Sequence, residues 1–358
     1  MIYNKSLVAN SIAPQRQLKE RDAIRSCFNI NENRFSGEMK AHNLKANAGR
    51  IPDEVFREFD NVTVERMKLD EGDAFLNDLM THSRSLPIGK LTFENRRASD
   101  AGNVQTSMTG QIGVKFDSVD FSIDGTIIPV HDNGFSRNWR EFSAGQSEGF
   151  DSLIDDQREN VAAHRNHLAD TFMDGHKDKN GQIIVVDTRS WSGMRADPRV
   201  AQIDLGVGGV NFDFTDQTQT GDAIKNAFIQ LRDTMRITNK ISLDLTYYVS
   251  EEIASNFERK FSAQYDAKTI EAELMSLRGV AGIKSSSKLG SGAATPGNEL
   301  MALPMNGLVR PLVGMGTSVI AQPRQVYNAN YDFVVASAIG WEVRTDFFNN
   351  TSAMLAKD

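Results

Sequence analysis

The stretch 147–174 constrains this chain's fold more than any other. Phe150, Ile154, Val161, Leu168 and Phe172 recur at helical spacing and fall within about 40° of one another at 100° per residue. The other faces carry Asp155, Asp156, Arg158, Glu159, His164, Arg165 and Asp170. A helix of ~35 Å, at 1.5 Å per residue, with so narrow an apolar stripe is expected to lie along a sheet with its back in water. Asn180, Gly181 and Gln182 then supply a helix-ending turn.

The sheet material begins at Ile88. KLTF, QIGVKF, VDFSI and TIIPV are rich in β-branched and aromatic residues in period-two alternation, which predicts a β-ribbon. Val114 and Phe116 share one phase while Val119, Phe121 and Ile123 share the other, so a bulge is expected near Asp117 and Ser118. Asp124-Gly125 is expected to turn the chain. The polar, glycine-punctuated stretch 96–110 reads as the ribbon's tip.

Before the ribbon lie 86 residues with more charge and no single strong periodicity. Helices are expected over 14–27 and 52–79, the second led by Pro52 and carrying Val55, Phe56, Phe59, Val62, Met67, Phe75 and Leu79. So small an apolar share predicts an arm that lies across another surface. After residue 181 strands and helices alternate. Strands are expected at 183–187, 242–249 and 298–305, with two or three more in 318–344. Helices are expected at 221–235, 250–261 with Ser250 as N-cap, and 268–279. Residues 205–214 read as irregular and 284–297 as a flexible surface loop. The whole describes an α+β protein with one inserted lobe and no internal repeat.

At 358 residues and 40% hydrophobic content, the chain can bury one large core or two modest ones. A net charge of -7 argues against tight phosphate binding, but not against a wall that merely encloses nucleic acid. No stretch reaches the ~18 apolar residues of a membrane helix, and Pro14 with the charges after it argues against a secretion signal. One cysteine, Cys27, excludes an intramolecular disulfide.

Chemical motifs are weak. His164 and His167 with Asp170, Asp174 and His176 could supply metal ligands, but the spacing matches no established signature. Gly206, Gly208 and Gly209 lack the third glycine and following helix of a dinucleotide loop, and Gly290 and Gly292 lack a Walker lysine. There is no G-x-S-x-G elbow, and Cys27 has no histidine nearby. The carboxylates among residues 155–160 read as a solvated helix face. No cofactor and no catalytic residue is expected.

The order of a charged arm, a long ribbon, the segment 127–175 with its IPV strand, WREF linker and long helix ending in Asp-Gly, a mixed lobe and closing strands resembles the Hong Kong 97-type capsid fold, in its encapsulin-like branch. The resemblance covers residues 88–347. It implies an N-terminal arm (1–86), an extended β-ribbon E-loop (87–131), a P-domain with a long spine helix (132–181), an A-domain (182–317), and P-domain return strands with the C-terminus (318–358). It further implies a non-enzymatic major capsid protein of a tailed bacteriophage. Such a protein forms hexamers and pentamers of itself, assembles in the host cytoplasm into a virion capsid around double-stranded DNA, and meets scaffolding, portal and decoration proteins but no membrane.

Inter-subunit contacts are then expected at Lys90, Arg96, Arg97, Asp100, Asn103, Gln105, Gln111 and Lys115 of the ribbon, and at Phe56 and Phe59 of the arm. Some members of that family crosslink an E-loop lysine to an asparagine. Lys90 and Lys115, with Asn328, Asn330, Asn349 and Asn350, are the counterparts. The alternatives are an encapsulin-like nanocompartment shell and, from another class, a metal-dependent hydrolase built on His164. A phage adhesin is a third, but it would show β-repeats that this sequence lacks.

Overall fold

The computed structural model describes residues 19, 22, 23, 25, 26, 73–100, 102, 104, 106–109, 116–142, 152–262, 268–324, 326 and 328–358, with the side chains of 152–154 excepted. The chain divides into two compact units, Met1–Glu65 and Arg66–Asp358. In the first, the five described residues are helical and fall within the helix expected over 14–27. The remaining elements belong to the second.

A four-stranded sheet is built from β1 (Arg84–Ser85), β4 (Val130–Arg137), β11 (Val309–Ala321) and β12 (Tyr331–Val343), in the order β1-β11-β12-β4. Helix α2 (Ser152–Asp174) packs on β4 and β12, as its stripe predicts. Leu168, Ala169, Phe172 and Met173 are buried beneath it. His164, expected on the exposed back, is buried as well. It sits four residues before Leu168, about 40° from the stripe, and its Nε2 lies 2.8 Å from Ser337 Oγ of β12.

The second sheet has five strands in the order β7-β13-β10-β8-β9: β7 (Ala201–Asp204), β8 (Leu245–Val249), β9 (Val280–Ser285), β10 (Glu299–Pro304) and β13 (Met354–Lys357). Alternation along these strands separates two cores. Leu245, Tyr247 and Val249 of β8, Leu300 and Ala302 of β10, and Met354 and Ala356 of β13 face helices α3 (Gly221–Asp233), α4 (Glu251–Phe257) and α5 (Ile270–Met275). Tyr248, Met301, Leu303 and Leu355 face the other way. There they meet α2 and α1 (Asp73–Met80), where Phe172 lies 5.4 Å from Phe75 and 4.9 Å from Trp341 between ring centroids. Both faces are covered, so the central strands read as continuous apolar runs.

Helix ends follow local chemistry. Thr220, Ser250 and Thr269 cap α3, α4 and α5 through hydroxyls that accept from Ala223, Ile253 and Ala272 N–H groups. Helix α3 runs on into a π-helical turn, Thr234–Thr238.

Several expectations need correction. Asp124-Gly125 is not a turn: both residues lie within β3 (Phe121–Ile127), opposite Asn95 and Glu94 of β2 (Thr92–Ala98). Gly125 is there because a Cβ would come within 2.7 Å of Phe93 O. Strand β4 went unread because His-Asp-Asn-Gly is turn chemistry, and β12 imposes the strand through pairs such as Phe135 on Phe333, stacked at 5.1 Å. The strand expected over 183–187 shrinks to β5 (Val185–Val186) in a hairpin with β6 (Arg189–Ser190). Helix α1, inside the stretch 1–86 read as an arm, buries Phe75, Leu76 and Leu79 in the core of its own unit. Within 318–358, β12 lies in the four-stranded sheet, whereas β13 pairs with β10 and β7.

Candidate assembly surface

Among the described residues, strands β2 and β3 pair only with each other, giving a two-stranded ribbon with two unlike faces. Asn95, Arg97 and Asp124 point back at the protein. Glu94, Arg96 and Ala98 of β2 turn outward beside Phe121 and Ile123 of β3, which are 70% and 54% exposed. Beyond β3, Phe116 is 96% exposed. Apolar side chains this open on a two-stranded ribbon are costly in water.

The inner face is pinned by charge. Glu342 of β12, buried, accepts from Arg310 Nε at 2.7 Å, Arg344 Nε at 2.8 Å and Asn95 Nδ2 at 3.3 Å. Arg97 pairs with Asp124 and donates to Asn349 Oδ1 at 2.9 Å. Arg199, held by Asp197 at 2.7 Å, donates to Gly125 O at 2.9 Å. At the ribbon's base Ile127 and Ile128 are buried over Gly340, where a Cβ would approach Ile127 O to 2.2 Å. The ribbon is thus fixed at its base and along its inner face; on the outer face Glu94 pairs with Arg189 at 3.3 Å, while Phe121 and Ile123 stay exposed.

Of the expected contact residues, Lys90, Arg96 and Asp100 are exposed. Asp100 also lines an open cleft of about 800 Å³ with Lys240, Arg344 and Asp346. Arg97 differs: it is half-buried, and its guanidinium is spent inside the chain. Asn103, Gln105, Gln111, Lys115, Phe56 and Phe59 lie outside the described residues, as do Cys27 and Phe150. Among the crosslink candidates, Asn349 accepts from Arg97 and Asn350 donates to Asp346 Oδ2 at 2.6 Å, while Asn328 and Asn330 are exposed.

The weak motifs take structural roles. Among the described residues no group of three or more His, Cys, Asp or Glu side chains is placed to hold a metal. Asp170 pairs with Lys288 and Asp174 with Arg195, both at 2.7 Å. Asp156 accepts from Arg137 Nε at 2.8 Å. Gly209 lets the chain fold against Asp204, where a Cβ would overlap Asp204 O at 1.9 Å. The loop 284–297, read as a flexible surface loop, wraps the buried carboxylate of Glu299, which accepts from Gly290 N at 2.7 Å. Glu299 and Glu342 were missed by sequence reasoning. Their signal was a lone carboxylate at the edge of an apolar strand, in ELMALP and in AIGWEV.

A spine-like helix laid across a four-stranded sheet, a five-stranded sheet with helices on both faces, and a paired ribbon define the Hong Kong 97-type capsid fold. The structure matches the capsid of Myoviridae phage XM1 with a TM-score of 0.63 at 11% identity, over 87% of this chain and 99% of that one. A chain of Mycobacterium phage Ogopogo matches at 0.55 and 9% identity, over 87% and 100% of the two chains. The capsid of a native GTA particle matches at 0.53 and 14%, over 87% and 98%. No curated protein matches the sequence. The chain belongs to the DUF6260 family, described as a family of unknown function, whose model matches residues 45–356.

Proposed function

We propose that this protein is the major capsid subunit of a tailed bacteriophage, a building block and not an enzyme. It assembles with copies of itself, as hexamers and pentamers, into an icosahedral head around double-stranded DNA. The observation that carries this reading is the open apolar face of a ribbon anchored from behind, on a fold shared with solved phage capsids. A neighbouring copy is the cover such a surface needs, and many modest contacts of this kind multiply in a closed shell.

In this reading residues 1–86 act as the arm, except that α1 is built into its own unit, and 87–131 act as the E-loop. Residues 132–181 and 318–358 supply the P-domain, and 182–317 the A-domain, to which β13 adds a strand. Lys90, Arg96 and Asp100 are the described polar contacts to a neighbour. Net negative charge suits a wall that encloses DNA without gripping it. Assembly takes place in the host cytoplasm, with scaffolding, portal and decoration proteins as further partners of the finished virion.

Negative-stain microscopy of the purified full chain tests the reading. Closed shells of uniform diameter are expected. A monomer that persists at every salt and protein concentration overturns it.

A further inference from the structure

Four of the six histidines meet at one seam, where α2 lies on the four-stranded sheet. His131 comes from β4, His164 and His167 from α2, and His176 from the two residues past its end. The His131 ring lies 5.2 Å from His167 and 5.3 Å from His176 between centroids. His131 Nε2 sits 3.3 Å from Ile339 O of β12, and His164 Nε2 sits 2.8 Å from Ser337 Oγ of the same strand. His176 is 1% exposed, and neither of its ring nitrogens has a hydrogen-bond partner.

Each element packed at the seam contributes groups that set the charge balance. Helix α2 presents His164 and His167, β4 presents His131 and Asp132, the segment after α2 presents His176, and β12 presents the Ser337 hydroxyl and the Ile339 carbonyl. Asp132 is the carboxylate that favours protonation. Against it stand burial and the mutual repulsion of closely set imidazolium ions. A charged His176 would bury two N–H donors where neither ring nitrogen has a hydrogen-bond partner.

We propose that this cluster is an acid-operated latch: neutral, it holds α2 against the sheet, and protonation of its members forces the seam apart. The inference concerns the subunit itself and does not rest on the shell reading. Burial, followed by the neighbouring His167, lowers His131 from 6.5 to about 4. Burial and then His167 lower His164, while burial and then His131 push His176 well below its ordinary value. Unfolded, each ring takes its proton near 6.5, so below that pH the unfolded chain binds more protons than the folded one. The latch is therefore fully closed above pH 6.5 and weakens as the pH falls toward about 4. At pH 5, His131 alone shifts the folding equilibrium toward the unfolded chain by about thirtyfold.

Trp191 and Trp341 both bond to Thr171 of α2, so their emission reports the seam. Thermal melts of the full chain at pH 7.5 and 5.0 compare wild type with a His131→Asn, His176→Met double variant and a His82→Asn control. The double variant is expected to lose less than half as much melting temperature on acidification as wild type does, with the control following wild type. A loss in the double variant of more than half that of wild type overturns the latch. If the double variant does not fold, histidine-ring NMR titration of wild type decides. At least two rings resisting protonation down to pH 5 are expected, and ordinary titration of all the rings near pH 6.5 overturns the proposal.

Discussion

Replacing Glu299 by Gln removes one charge from the joint between α2 and the five-stranded sheet. The Glu299 side chain is wholly buried and accepts from Arg195 Nε and Nη2, both at 2.9 Å, and from Gly290 N at 2.7 Å. Arg195 also donates to Asp174 Oδ1 at 2.7 Å, at the end of α2, and to Lys288 O at 3.0 Å. Burial works against the Arg195 charge, but Glu299 and Asp174 outweigh it and hold the guanidinium firmly protonated. Glutamine offers one acceptor oxygen where two are used, and its amide N–H₂ would face donors. Stripping one partner from a buried pair costs about 3–5 kcal/mol. Because Arg195 keeps the half-exposed Asp174, the low end applies, about 3 kcal/mol. That corresponds to a fall of roughly 5 °C in Tm for a unit of this size. Urea titration followed by tryptophan emission measures it. A Glu299→Leu, Arg195→Met double variant should cost less than the sum of the two single changes, with a coupling of about 2 kcal/mol. A Glu299→Gln protein within about 0.5 kcal/mol of wild type would refute the reasoning, because the carboxylate would then be dispensable.

Phe172→Ala opens a cavity among Phe75, Trp191 and Trp341 and should cost about 3–5 kcal/mol by the same titration. Gly340→Ala places a methyl against Ile127 O and should lower Tm while speeding protease cleavage within β2 and β3, since the clash lies at the ribbon's base. Phe121→Asp with Ile123→Asp alters only the open face. The subunit's Tm should stay within about 2 °C of wild type, in line with small effects at exposed sites, while sedimentation shows assembly abolished; assembly at the wild-type level would show that the face is not a contact.

The sequence revealed what periodicity controls. The stripe of α2 announced a helix on a sheet, and the alternation around Phe121 and Ile123 announced a ribbon with an apolar face. Capping chemistry placed Ser250 at its helix start. Long-range partners were not legible. Strand β4 contradicts its own turn residues and exists because Phe135 and His131 meet β12. Arg97 reads as a surface contact until Asp124 and Asn349 are seen to occupy it. Glu299 and Glu342 look like strand-edge charges, and only the fold brings arginines to them from 104 and 32 residues away. Local spacing groups His164, His167 and His176, but only the fold brings His131 of β4 to them.

The position of β13 makes one short strand decisive for its sheet. It lies between β7 and β10, more than 50 residues after the second and about 150 after the first, and runs parallel to one and antiparallel to the other. Strands β8, β9 and β10 pair among themselves, but among the described strands β7 pairs with β13 alone. Removing β13 would leave a sheet split in two, with Met354 and Ala356 missing from one core and Leu355 from the other. Strand β13 is therefore a keystone: one short strand joins two parts of a sheet and fills a place in both cores.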